Sequence, residues 1–265
     1  MNIYVDLTRE FNASGLNAVL SSGQAVVLHR LAVMSKDGDW ILREKESALE
    51  GVLAVLAARR AVYRFGAPLD LRWMRGGWSA HLEFRDGPLR IRTDFVTRPP
   101  RLTPQAIDEL WRRQEACDLP FVDARNLIEL KKTNREKDYA VIGELARLLT
   151  NPEEQLLTAR SARDILDLAS QHPALVASLI EQRPALASVT AGIDALEAAL
   201  DAERRAMIHA NERRLERYLR AAAAWAAVWP KLSKEIEGLS LPEMHRMMIE
   251  RAAVVLPFEA SPESL

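Results

Sequence analysis

Hydrophobic spacing changes character along this chain. Up to about residue 120, short runs with a period of two sit between helical runs; beyond it, most apolar residues fall at helical spacing. In "NAVLSSGQAVVLHRLAV" (17–33) a short apolar stretch meets a Ser-Ser-Gly turn and then a helix-like segment. "WILR" (40–43) predicts a strand, and "ESALEGVLAVLAARRA" (46–61) puts Leu49, Val52, Leu53, Leu56 and Ala57 at helical spacing. Two alternating runs, "DLRWM" (70–74) and "SAHLEF" (79–84), flank Gly76-Gly77, which predicts a hairpin turn between strands. "PLRIRTDFVTR" (88–98) alternates Leu89, Ile91, Thr93 and Phe95 against Arg90, Arg92, Asp94 and Val96. That predicts a strand with Asp94 on its polar face, broken by "RPP".

The later segments carry helix start signals. Thr103-Pro104 opens a helix through Leu110 and Trp111, and Asp123 caps one through Leu127 and Ile128. Thr133-Asn134-Arg135-Glu136 has the form of a capping box, and Asn151-Pro152 opens another helix. One long pattern runs from about Ala191 to Trp229 and is expected to stop at Pro230; a last helix spans about 242–256 and leads into a loose tail. The expected fold class is α+β: a small mixed β-sheet with flanking helices over 1–120, followed by an all-helical part over 121–265.

Composition narrows the function classes. Apolar residues make up 48% of the 265, enough for a packed core. Lys and Arg total 36 against 37 Asp and Glu, so no global basic field exists to capture long nucleic acid. Cys117 is the single cysteine, which excludes an internal disulfide and suits a reducing compartment. The opening "MNIYVDLTREF" has charges where a signal peptide has an apolar core, and "AAAAWAAVW" (221–229) is too short to span a bilayer. The expectation is a cytoplasmic protein without a membrane partner.

The candidate chemistry is acidic. Asp37 and Asp39 stand two apart just ahead of a strand, where alternate residues share a face. Alone, such a pair is an ordinary feature of turns. Asp94 adds a third carboxylate on a later strand, and three converging carboxylates persist best around cations. Mg²⁺ suits them, since it takes hard oxygen ligands at about 2.1 Å and keeps positions for substrate phosphates. Ser22 and Gly23, in a small-residue turn at a helix start, either cap that helix or expose N–H groups to phosphate.

These residues carry a resemblance. "SSGQAVVLHRLAVMSKDGDWIL" resembles the opening of the polymerase-beta-type nucleotidyltransferase fold: a small-residue turn, a helix, then Asp-x-Asp leading into a strand. "RIRTDFV" is similar to the later strand of that fold, which supplies the third carboxylate. "DARNLIELKKTNREKDYAVIGEL" (123–145) resembles the helical segment after the core in a prokaryotic branch, the abortive-infection and toxin-type enzymes, with Lys131, Arg135, Lys137 and Asp138 at the matching positions. The resemblance covers about residues 15–148. Two positions depart from the pattern: Ser22 stands where the first glycine of a pair is usual, and Gly38 where an apolar residue is usual. An Arg often found shortly before the acids is also not evident at Val33-Met34.

The resemblance implies a Mg²⁺-dependent nucleotidyltransferase that moves a nucleoside monophosphate from an NTP to an acceptor hydroxyl on RNA, protein or a small molecule. Asp37, Asp39 and Asp94 would hold metal; Ser22, Gly23, Lys131, Arg135, Lys137 and Asp138 would bind the nucleotide. The alternative is an inactive protein of the same fold that acts as a binding or toxin–antitoxin-type module, with a protein partner on the helical part. Other residues are set aside. His29 reads as a hydrogen-bonded histidine, and His81, His172, His209 and His245 lack ligand spacing. Cys117 reads as structural, Trp225 and Trp229 as packing residues, and the arginine-rich run 197–220 as a solvated helix face with a minority reading as a contact surface.

Overall fold

A computed structural model describes residues 2–260. The chain forms two compact units, one made of Met1–Val122 with Glu216–Leu265, the other of Asp123–Leu215. The first of these borders falls near the change in hydrophobic spacing; the second has no counterpart in it.

The first unit opens with helix α1 (Ile3–Phe11), capped by the Asn2 side chain on the Tyr4 N–H. Strand β1 (Ala18–Ser21) turns directly into helix α2 (Ser22–Leu28), and β2 (Asp37–Leu42) is followed by α3 (Glu46–Ala58). Then come β3 (Val62–Gly66), the single turn α4 (Leu71–Met74), β4 (Ala80–Asp86), β5 (Leu89–Val96) and α5 (Pro104–Gln114). The five strands form one mixed sheet in the order β1-β2-β5-β4-β3; β2 and β5 run parallel and the other pairs antiparallel.

One sheet face makes the core. Leu20, Trp40, Phe95, Leu82 and Phe84 join Tyr4, Leu7 and Phe11 of α1 and Leu49, Val52 and Leu56 of α3 in one cluster. Trp40 anchors it by stacking on Phe95 at 5.5 Å and donating from Nε1 to Thr8 Oγ1 at 2.9 Å. The same cluster takes residues from the chain's last helices, Trp225 and Leu232 of α12 (Ala223–Glu235) and Met244, Met248 and Ala252 of α13 (Leu241–Val255).

Three sequence expectations are corrected in this unit. "DLRWM" is not a strand: Asp70 caps α4 by accepting from the Arg72 N–H at 3.0 Å, and Trp73 and Met74 are buried from helical geometry. The hairpin therefore lies between β4 and β5, at Gly87 (φ 56°), and β4 takes β3 as its other neighbour. The helix expected to end at Pro230 continues through it; the break comes earlier, at Ala222. The tail is pinned as far as Ala260. Trp78 Nε1 donates to the Pro257 carbonyl at 2.8 Å, and the Ala260 N–H to the Gly76 carbonyl at 2.8 Å. Beyond Ala260 it lies outside the described residues.

The second unit is helical: α6 (Ala124–Lys131), α7 (Glu136–Ala146), α8 (Pro152–Thr158), α9 (Ala162–Gln171), α10 (Pro173–Leu179), a 3₁₀ helix (Pro184–Ala191) and most of α11 (Ile193–Ala221). Buried Arg183 holds it together, donating to the carbonyls of Leu156 and Ala159 and pairing with Glu203 at 2.9 Å. The capping box expected at Thr133 does not form. The Thr133 hydroxyl donates instead to Asp138 Oδ2 at 2.6 Å, and α7 starts at Glu136 behind Arg135. Among the described residues no helix is long and apolar enough to cross a membrane.

Candidate active site on the acid face of the sheet

The sheet's second face is polar where β2 and β5 run side by side. Asp39 lies level with Asp94 across the parallel pair, and Asp37, two residues earlier, lies level with Arg92. Directly paired residues share a face and alternate residues return to it, so Asp37, Asp39 and Asp94 all project from the same side. Ser21 of β1 is level with Asp39, and His81 of β4 with Asp94.

The start of β2 is gripped from two helices. Gln24 of α2, 2% exposed, donates from Nε2 to the carbonyls of Ser35 at 3.0 Å and Asp37 at 3.3 Å. Tyr4 of α1 donates its hydroxyl to the Lys36 carbonyl at 2.6 Å. Burial, and after it the charges of Asp37 and Asp39, push the Tyr4 hydroxyl above its ordinary pKa, keeping it a neutral donor beside the acids.

The two departures from the resembled pattern have local causes. Gly38 faces the core, and a Cβ there would come within 2.4 Å of Trp40 and 2.5 Å of Tyr4, so the rings occupy the space of the usual apolar side chain. Ser22 takes φ 49°, the left-handed conformation that favours glycine. At Gly23 a Cβ would meet Ser35 Oγ at 2.3 Å, so this glycine admits the Ser35 loop to the turn.

The acids are not equivalent. Asp94 accepts from Arg64 at 2.5 Å and contacts His81 Nδ1 at 2.8 Å, both on Oδ1; Oδ2 takes neither. Burial alone would raise the Asp94 carboxyl, but His81 and Arg64 outweigh it and hold it below the ordinary value. Arg64 reaches it from a bulge in β3, where the register shifts between Tyr63 and Phe65. Asp37 Oδ1 is buried without a hydrogen bond, its nearest cation being Arg92 at 3.6 Å.

In donor chemistry these residues suit a hard divalent cation. The donors are carboxylate oxygens, the set such ions prefer. The buried Asp37 Oδ1 is the kind of orphaned acceptor that a bound cation satisfies. Asp94, anchored through one oxygen, resembles carboxylate ligands whose second oxygen is hydrogen-bonded. Among the described residues, no three His, Cys, Asp or Glu side chains are drawn together as ligands of one ion.

The remaining expected site residues lie in the second unit. Lys131 and Arg135 converge on buried Asp138, at 3.5 and 2.8 Å, while Lys137 is exposed and outside that cluster. Burial would raise the Asp138 carboxyl; Thr133, then Lys131 and Arg135, hold it low. A polar cleft of about 390 Å³ in the same unit is bordered by Arg147, Arg160 and Asp164, with Arg147 paired to Asp164 at 2.8 Å. His29 is a hydrogen-bonded histidine, 3.0 Å from the Val122 carbonyl, and Cys117 is exposed rather than a packing residue. In sequence His81 is set aside for lack of ligand spacing and Arg64 is not singled out; the alternation of "SAHLEF" beside that of "RTDFV" is the signal that could have placed His81 opposite an acid.

No protein-family model matches this chain, and no curated protein matches it. Among solved structures, a protein from H. pylori named as a candidate nucleotidyltransferase is similar at 12% identity and a TM-score of 0.38, covering 80% of this chain and 96% of that one. JHP933 from Helicobacter pylori is similar at 11% identity and a TM-score of 0.37, covering 80% and 92%. The acid face, rather than these likenesses, carries the function argued for it.

Proposed function

We propose that the first unit is a nucleotidyltransferase, which binds an NTP with Mg²⁺ on the acid face and passes its nucleotidyl group to a hydroxyl, releasing pyrophosphate. The observation that carries this is the register of β2 and β5, which sets Asp39 beside Asp94 with Asp37 on the same face. Asp37 and Asp39 would hold the cation, with Asp94 Oδ2 as a further donor. Mg²⁺ bound there would supply charge neutralisation for the triphosphate. Gln24 and Tyr4 fix the backbone that carries the two acids. Ser22 and Gly23 begin α2 beside the Ser35 loop, where their backbone N–H groups suit phosphate oxygens. Lys131, Arg135, Lys137 and Asp138 are proposed for the nucleotide on the resemblance alone.

The test is incubation of the protein with each labelled NTP, Mg²⁺ and a cell extract as source of RNA, protein and small-molecule acceptors. Transfer is expected for at least one NTP and is expected to vanish in Asp37→Ala/Asp39→Ala. Undiminished transfer in that variant contradicts the assignment.

A second reading has its own observation. Asp94 already meets Arg64, and Asp37 faces Arg92, so cations of the chain itself stand beside the acid face. That arrangement suits an inactive module whose acid face is structural, binding a protein partner. Failure of every NTP to bind favours this reading.

A further inference from the structure

Three residues of β4 and its approach alternate onto the acid face: Ser79, His81 and Glu83, while Ala80, Leu82 and Phe84 turn to the core. His81 joins two of the site's groups. Its Nδ1 is 2.8 Å from Asp94 Oδ1, and its Nε2 is 2.8 Å from Ser79 Oγ. An ionised carboxylate only accepts, so the network assigns the ring proton to Nδ1 and leaves Nε2 to accept from the Ser79 hydroxyl. Tyr218 Oη lies 3.2 Å from Ser79 Oγ and, with the serine hydrogen turned to His81, is the donor in that contact. Arg64 on the same Asp94 oxygen fixes the carboxylate end of the chain.

Hydroxyl, imidazole and carboxylate in this order form the arrangement that activates a serine as a nucleophile. A network that merely satisfied a buried histidine would have no need of solvent, yet His81 and Asp94 keep 25% and 21% of their side chains exposed, and Ser79 is half-buried. Asp94 serves both neighbours without conflict, since His81 and Arg64 occupy Oδ1 and the cation reading uses Oδ2.

We propose that Ser79 is a nucleophile activated by His81 and is itself a nucleotidyl acceptor, so that the protein modifies its own chain; this rests on the nucleotidyl-transfer reading above. Ser79 Oγ attacks the α-phosphorus of the NTP. The Oγ–phosphorus bond forms, the bond from the α-phosphorus to the oxygen bridging to the β-phosphate breaks, and pyrophosphate leaves. The hydroxyl proton passes to His81 Nε2. The product is a serine–nucleotide phosphodiester beside the acids, which would cover the site and limit further turnover.

Two measurements on the full chain test this. First, without metal or nucleotide, a fluorophosphonate probe is expected to label Ser79. Ser79→Ala is expected to lose the label, and His81→Gln to slow it about a hundredfold. Second, with α-labelled NTP and Mg²⁺, peptide mass spectrometry is expected to find one nucleoside monophosphate on Ser79. Thermal melts with and without NTP accompany both, to establish that each variant is folded and that nucleotide binds. No probe on Ser79, or equal labelling in folded His81→Gln, overturns the nucleophile. Nucleotide that shifts melting but never appears on Ser79 overturns the self-modification and leaves the nucleotidyltransferase reading standing. Absence of any nucleotide-dependent shift overturns that reading and this proposal with it.

Discussion

At Gly38 the strand that carries Asp37 and Asp39 passes so close to Trp40 and Tyr4 that a Cβ would lie 2.4 to 2.6 Å from ring carbons. Both rings belong to the packed core and cannot withdraw cheaply. Gly38→Ala is therefore expected to cost about 1–3 kcal/mol in urea unfolding, the usual scale of overpacking. Ser22 is the opposite case. Its left-handed φ of 49° disfavours any side chain, so Ser22→Gly should leave the melting temperature unchanged or raise it, whereas Ser22→Val should lower it. That Asp37 and Asp39 share a face was legible once the run after them read as a strand, since alternate strand residues point the same way. Their partners were not: Arg64, Arg92 and His81 meet them through strand pairing, which joins residues 13 (His81 and Asp94), 30 (Arg64 and Asp94) and 55 (Asp37 and Arg92) positions apart.

Element by element, the pattern gave true strands at the alternating runs of β4 and β5 and at the apolar run of β2, and failed at one short alternation. "DLRWM" alternates over five residues, but the Asp70 cap decides for a helical turn. β3 was missed because Val62 and Phe65 are partly exposed and dilute the alternation. The tail was misread because its anchors are the indoles of Trp73 and Trp78 and one backbone hydrogen bond at Gly76, which no pattern within the tail announces. At Gly76 a Cβ would lie 1.7 Å from the Phe258 carbonyl oxygen, a clash only backbone movement relieves. Gly76→Ala should release the segment after Leu256, uncover Trp73 and Trp78, and speed C-terminal proteolysis. In the second unit, Asp138 ties α6 to α7, and its carboxyl is held below the ordinary value. A lowered folded pKa gives stability that is present above the unfolded value, about 3.9, and is lost as pH falls through the folded one. Urea melts should thus show wild type more stable than Asp138→Asn at neutral pH, with the gap closing in acid below about pH 4.

At the scale of the molecule, the class of fold was legible from the alternation of strand and helix patterns. The return of the last helices to the sheet was not, since Trp225, Met244 and Met248 read locally as any helical stripe. The near-zero net charge leaves the recognition of any anionic ligand to local groups, and under the proposed function these are the carboxylates that β2 and β5 set on one face. The most direct test is a thermal melt of the full chain with each NTP in Mg²⁺, for wild type and Asp37→Asn/Asp39→Asn. A ligand bound only by the native state at a hundred times its Kd adds about 2.7 kcal/mol. The expected result is a rise in melting temperature with at least one NTP, dependent on Mg²⁺ and absent from the folded double variant. No shift with any NTP, or an equal shift in the variant, contradicts a nucleotide site built on Asp37 and Asp39.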